Sequence, residues 1–185
     1  MFYLFSKSKV KRFLTGGFVL LAIIAIITGC NSDLEDDTNY PGVLPEGLTG
    51  KWVFNVDDYY EVIPVDGQIG TLQYTSVWDG TDYGYEGIIR FISNYSESSG
   101  IIILEFTDGA PDASKPFTGI YYQNLNASTV KLANVINLKA VAEGDYANYC
   151  VDTETLEEAI TKFTRGNSGK YVDWSNVIPY TKTSS

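Results

Sequence analysis

The 185-residue chain contains no histidine, a single methionine, two cysteines and only 13 basic residues against 23 acidic ones. Without imidazole there is no Ser-His relay, no histidine general base and no His-ligated metal or haem. Phosphate-cradling glycine loops of the P-loop or dinucleotide-binding type are missing as well. These absences lead to the expectation that the protein is not an enzyme and carries no cofactor and no metal. What is abundant is apolar and aromatic material, 44% and 14% of the residues, enough for a packed core in one domain.

Charge is divided unevenly along the chain. Lys7, Lys9, Lys11 and Arg12 stand in residues 1–29, where there is no acid; the rest has nine cations against 23 acids, a net of −14. A surface of that sign repels phosphate polyanions and anionic headgroups, so a nucleic-acid partner is not expected. Membrane attachment would need a means other than charge.

The N-terminus supplies one. A basic stretch is followed by an apolar run over residues 13–28, broken only by Thr15 and the Gly16-Gly17 pair, which is the layout of a secretory signal. An uncleaved membrane helix is the alternative, for which the run is short. Ile27-Thr28-Gly29-Cys30 resembles the lipobox of bacterial lipoproteins. The resemblance implies that residues 1–29 are a signal peptide and that Cys30 is acylated, as with palmitate, and becomes the new N-terminus. It also implies an exported protein, lipid-anchored to the outer or cytoplasmic membrane, with its domain outside the cytoplasm. At about 0.8 kcal/mol per buried CH₂, several acyl chains would make the anchor effectively permanent. Cys150 would then have no intrachain disulfide partner. Residues 30–47, acid-rich and punctuated by Pro41 and Pro45, read as a solvated tether.

From residue 48 the pattern changes to short runs rich in Val, Ile, Tyr, Phe and Thr. They cover about 50–56, 59–65, 70–78, 87–95, 100–107, 117–125 and 129–136, separated by turn chemistry that includes Asp66-Gly67 and Asp79-Gly80. Residues 88–92 and 101–106 are apolar on both faces apart from Arg90 and Glu105, so their outer side needs a cover. One helix is predicted to provide it. Thr155-Leu-Glu-Glu158 has capping-box spacing, and Leu156, Ala159, Ile160 and Phe163 form one stripe ending near Gly166-Asn167. A closing strand is predicted at residues 170–174, pairing with the first. The expected fold is therefore all-β: a small antiparallel up-and-down barrel of about eight strands over residues 48–185, with one C-terminal helix outside.

Leu48-Thr49-Gly50-Lys51-Trp52 resembles the G-x-W motif of lipocalins and the wider calycin group, in which Trp plugs the barrel base. No Arg occurs in the expected last strand to stack on Trp52, where Lys170 is a poor substitute. Thr81-Asp82-Tyr83 falls too early for the family's second motif. The segments Gly119 to Leu125, Leu156 to Phe163 and Tyr171 to Trp174 with Pro179-Tyr180 are also similar to spirochaete-type lipoproteins, which implies an envelope location and no established activity.

The candidate ligand-binding residues are Trp52, Phe54, Tyr74, Arg90, Tyr121 and Tyr122. Alternation places Trp52, Phe54 and Val56 on one face, and aromatics suit a lumen that encloses a small hydrophobic ligand. The other reading is a filled core, with loops 79–86 and 108–116 contacting an envelope or host protein partner. Arg90 and Glu105 suggest a cross-strand ion pair; facing inward, Arg90 would hold a ligand carboxylate. Asp57-Asp58 point to opposite faces of a strand, and Asp79-Gly-Thr-Asp82 lacks the ligand series of a calcium loop.

Overall fold

A computed structural model of the chain describes residues 40–78, 80–145 and 148–183; the lipobox and Cys30 lie outside them. Eight antiparallel strands follow one another: β1 (Gly50–Asn55), β2 (Asp58–Ile63), β3 (Gly70–Trp78), β4 (Thr81–Ser96), β5 (Ser99–Asp108), β6 (Phe117–Gln123), β7 (Thr129–Asn134) and β8 (Tyr180–Lys182). Each bonds to the next and β8 bonds back to β1, giving a closed up-and-down barrel. Three short helices, α1 (Leu138–Ala142), α2 (Leu156–Lys162) and α3 (Ser168–Tyr171), lie between β7 and β8.

The two-faced apolar runs produce two apolar layers. Inside the barrel, Trp52, Tyr60, Leu72, Ile89, Ile102 and Leu104 belong to one buried cluster. Outside, Ile101, Ile103 and Tyr121 join Val135, Ala159, Phe163 and Val172 in a second cluster. The cover is α2, as the helical stripe predicts: Ala159 and Phe163 are fully buried, and Leu156 and Ile160 pack beside them. Thr155 accepts a hydrogen bond from the Glu158 N–H (3.2 Å), and Glu158 Oε2 accepts from the Glu154 N–H (3.3 Å). Two otherwise orphaned donors at the helix start are thereby satisfied. Gly119 makes the close approach possible, because a Cβ there would stand 3.0 Å from both Phe163 and Val135.

Three segments depart from expectation. The strand pattern extends β4 back to Thr81, where Thr81 to Glu86 pair with β3; this part of the ribbon is largely exposed, so it carries no aliphatic pattern to betray it. Residues 170–174 do not form the closing strand. Lys170 and Tyr171 end α3, and the Asp173 carboxylate accepts from the Ser175 N–H (3.1 Å), Ser175 Oγ (2.6 Å) and Asn176 Nδ2 (2.7 Å), folding the chain into a turn. Closure falls instead to β8, with Trp52 opposite Lys182 and Val53 opposite Thr181. The cation expected over Trp52 is therefore Lys182, whose Nζ lies 5.1 Å from the ring and donates to Gly47 O (3.0 Å), and not Lys170. Finally, part of the stretch read as tether is docked: the Gly42 N–H donates to Ile92 O (2.7 Å) and Leu44 packs on the interior cluster.

Candidate functional site

Inward-facing positions on successive strands place one aromatic ring after another around the barrel. Phe54 touches Tyr180 (centroids 6.2 Å apart), Tyr180 touches Tyr60 (5.1 Å), Tyr60 touches Tyr74 (4.6 Å), Tyr74 touches Tyr85 (5.3 Å) and Tyr85 touches Phe106 (5.3 Å). These tilted and edge-on contacts are the arrangements that ring quadrupoles favour. The hydroxyls are bonded within the belt: Tyr60 and Tyr85 both donate to Asn134 Oδ1 (3.0 and 2.5 Å), and Tyr180 donates to Asp58 Oδ1 (2.8 Å). Burial pushes the Tyr60 and Tyr85 phenols well above their ordinary range, with neighbouring tyrosines adding to it. They stay neutral hydrogen-bond donors.

On the Trp52 side of this belt the interior holds a cluster of buried side chains. Trp52 is fully buried, with its Nε1 donating to Leu48 O (2.8 Å), and Tyr122 donates to Asn94 Oδ1 (2.6 Å). On the other side lies a cavity of about 290 Å³ lined by Tyr74, Tyr85, Phe106, Asn134, Tyr149 and Asp152, with Tyr83 at its edge. The segment 148–153 brings its last two walls. Cys150 bridges to Ile136, two residues beyond β7, and Thr153 bridges to Phe117 at the start of β6. Lys162 of α2 fastens the segment by donating to Val151 O (2.8 Å).

Asp152 is 9% exposed. Burial raises its carboxyl above the usual range, a tendency opposed by a hydrogen bond from Thr118 and by the charges of Lys162 and Lys115. Burial also raises the Cys150 thiol, which keeps it protonated and a poor nucleophile. The Tyr149 phenol is pushed up to about 12 by burial and by Cys150. Among the described residues of the cavity wall, Asp152 supplies the one carboxyl group, and no Lys or Arg stands with it.

A larger groove, about 570 Å³, lies outside the barrel between β7, α1, α3 and residues 171–177. It shares Asn134 and Ile136 with the mouth cavity. Its one carboxylate, Asp173, is engaged by Ser175 and Asn176, which hold it below the usual range. Specific sites combine apolar walls with a few convergent polar groups, a description that fits the smaller cavity better.

Of the residues singled out from sequence, Tyr74 lines the mouth cavity, and Phe54, 46% exposed, stands at the edge of the belt against Tyr180. Trp52 and Tyr122 are in the packed interior. Arg90 and Tyr121 are not in the lumen. Arg90 sits at a bulge between inward-facing Ile89 and Ile92, and its guanidinium pairs with Glu105 on the outer face. Tyr121 belongs to the outer layer and donates to Thr164 O (2.8 Å). Sequence reasoning passed over Phe106 and Tyr180 as wall residues, although the alternation Leu104/Phe106 carries that signal for the first of them. Tyr149 and Asp152 stand in an irregular segment, where no periodicity points to them.

Comparison with protein-family models, curated proteins and solved structures returns no match to this chain. Among the described residues no group of three or more His, Cys, Asp or Glu is placed to hold a metal ion.

Proposed function

We propose that this is a lipid-anchored protein of the bacterial cell envelope whose barrel is a non-catalytic binding module for a small, largely apolar ligand. The observation that carries the binding part is the mouth cavity, walled by Tyr74, Tyr85, Phe106 and Tyr149 above a filled barrel. Aromatic walls offer large contact areas at low conformational cost. The anchoring part rests on the basic and apolar leader and on Ile27-Thr28-Gly29-Cys30. Mass spectrometry of the full chain produced in a bacterial host and extracted from its membranes tests both parts. The expected result is an acylated N-terminal Cys30 and a co-purifying small molecule, with Cys30→Ser shifting the protein out of the membrane fraction. An unmodified N-terminus would refute the anchor; protein that stays ligand-free after incubation with host lipid and metabolite extract would refute the binding reading.

A second reading has its own support. Val56 is 85% exposed and Tyr83 48%, and Phe54 and Val77 are also exposed, so the β1–β2 and β3–β4 hairpins present apolar side chains. Hairpin ends of this kind suit contact with a protein partner, and the two readings are compatible on one molecule.

A further inference from the structure

The mouth cavity is unusual in its charge. Among the described residues its lining contains one carboxylate, Asp152, and no Lys or Arg. The two cations whose charges reach Asp152 make their own contacts elsewhere: Lys115, which lines an adjoining pocket with Asp152, pairs with Asp112 (3.6 Å), and Lys162 donates to Val151 O (2.8 Å). No ion pair to Asp152 is formed among the described residues. The cost of burying this carboxyl is offset only in part, by a hydrogen bond from Thr118 and by the charges of Lys162 and Lys115, neither of which contacts it. Beside it stand Tyr74, Tyr85, Phe106 and Tyr149, and aromatic rings attract cations through their quadrupoles.

We propose that the mouth cavity takes a small organic ammonium ion, its charged head against Asp152 and its apolar body among Tyr74, Tyr85, Phe106 and Tyr149. This rests on the reading of the cavity as a ligand site and narrows its ligand class. An ammonium head supplies the missing countercharge, and the rings supply cation–π attraction. A fatty acid or other anion would face Asp152 with no cation in the wall to receive it. A metal ion finds only one carboxylate where several donors are needed. The excess of acids over bases outside residues 1–29 raises the local concentration of cations and disfavours anions. At about 290 Å³ the cavity suits one ring with a short amine arm.

Isothermal titration calorimetry of the full chain in detergent, against a matched micelle blank, tests this with three probes of one shape: 2-phenylethylammonium, 2-phenylethanol and 3-phenylpropionate at pH 7. The expected order is cation first, tighter than the alcohol by about tenfold or more, with no measurable binding of the anion. Asp152→Asn should bring the cation down to the level of the alcohol while leaving the alcohol unchanged. Tyr149→Leu, at a half-exposed position, should weaken the cation more than the alcohol and serves if Asp152→Asn fails to fold. Equal binding of cation and alcohol, or a cation preference that survives Asp152→Asn, would overturn the ammonium assignment and leave the cavity reading standing. Heat from none of the three would overturn both.

Discussion

Asn134 is the residue on which the aromatic belt converges, since one carbonyl oxygen accepts from both Tyr60 and Tyr85. Tyr85→Phe removes a donor and leaves Asn134 still occupied by Tyr60, so a loss of about 1 kcal/mol is expected in denaturant unfolding. Asn134→Ala strands two phenols at once. With each unsatisfied buried donor costing about 1–3 kcal/mol, it should be the more damaging change, and a smaller loss than for Tyr85→Phe would count against the arrangement. The same burial has a consequence at high pH. Because the folded state holds Tyr60 and Tyr85 above their unfolded value near 10, the unfolded chain gives up those protons first. Their contribution is present in full below pH 10 and is lost as pH rises beyond it. Phenolate absorbance should therefore rise in more than one stage, with Tyr60 and Tyr85 ionising last and only with unfolding; a single stage with the fold intact would contradict the assignment.

At the level of elements, α2 is the lid of the outer layer. Phe163, fully buried against Tyr171 (ring centroids 5.3 Å apart) and above Gly119, should lose about 3–5 kcal/mol on Phe163→Ala. Thr155→Ala removes the cap and should lose about 1 kcal/mol; equal effects of the two would mean that capping, rather than packing, fixes the helix. This helix was legible in the sequence because its cap and stripe are local and agree with one another. Strands β1 to β3 and β5 to β7 were legible for the same reason, through alternation and turn residues. The closing strand was not. Residues 170–174 show strand-like alternation, yet Gly169 and the Ser175-Asn176 pair around Asp173 favour turns, while Tyr180–Lys182 is too short to register as a period. The site was legible only where it lies on regular strands: Tyr74 follows from alternation, whereas Asp152 depends on a non-local pairing of 148–153 with β6 and β7. Arg90 was misplaced because a bulge shifts parity without leaving a mark in the residue order.

For the molecule as a whole, the three residues of β8 complete the ring: they pair with both β1 and β7 and carry Tyr180 into the aromatic belt. Truncation after Pro179 should leave β1 and β7 as open edges, lowering the unfolding temperature and promoting association between chains. A truncated chain that stays monomeric and as stable as the full one would show that closure is not what holds the barrel. The central claim is that binding occurs at the mouth of a filled barrel, and not in the larger groove outside it. The direct measurement is an NMR titration of the full chain, with ¹³C-labelled aromatic side chains, by 2-phenylethylammonium and by 2-phenylethanol. Shifts should appear at Tyr74, Tyr85, Phe106 and Tyr149 and be absent at Tyr171 and Trp174; shifts confined to Tyr171 and Trp174, which line the outer groove, would contradict the account.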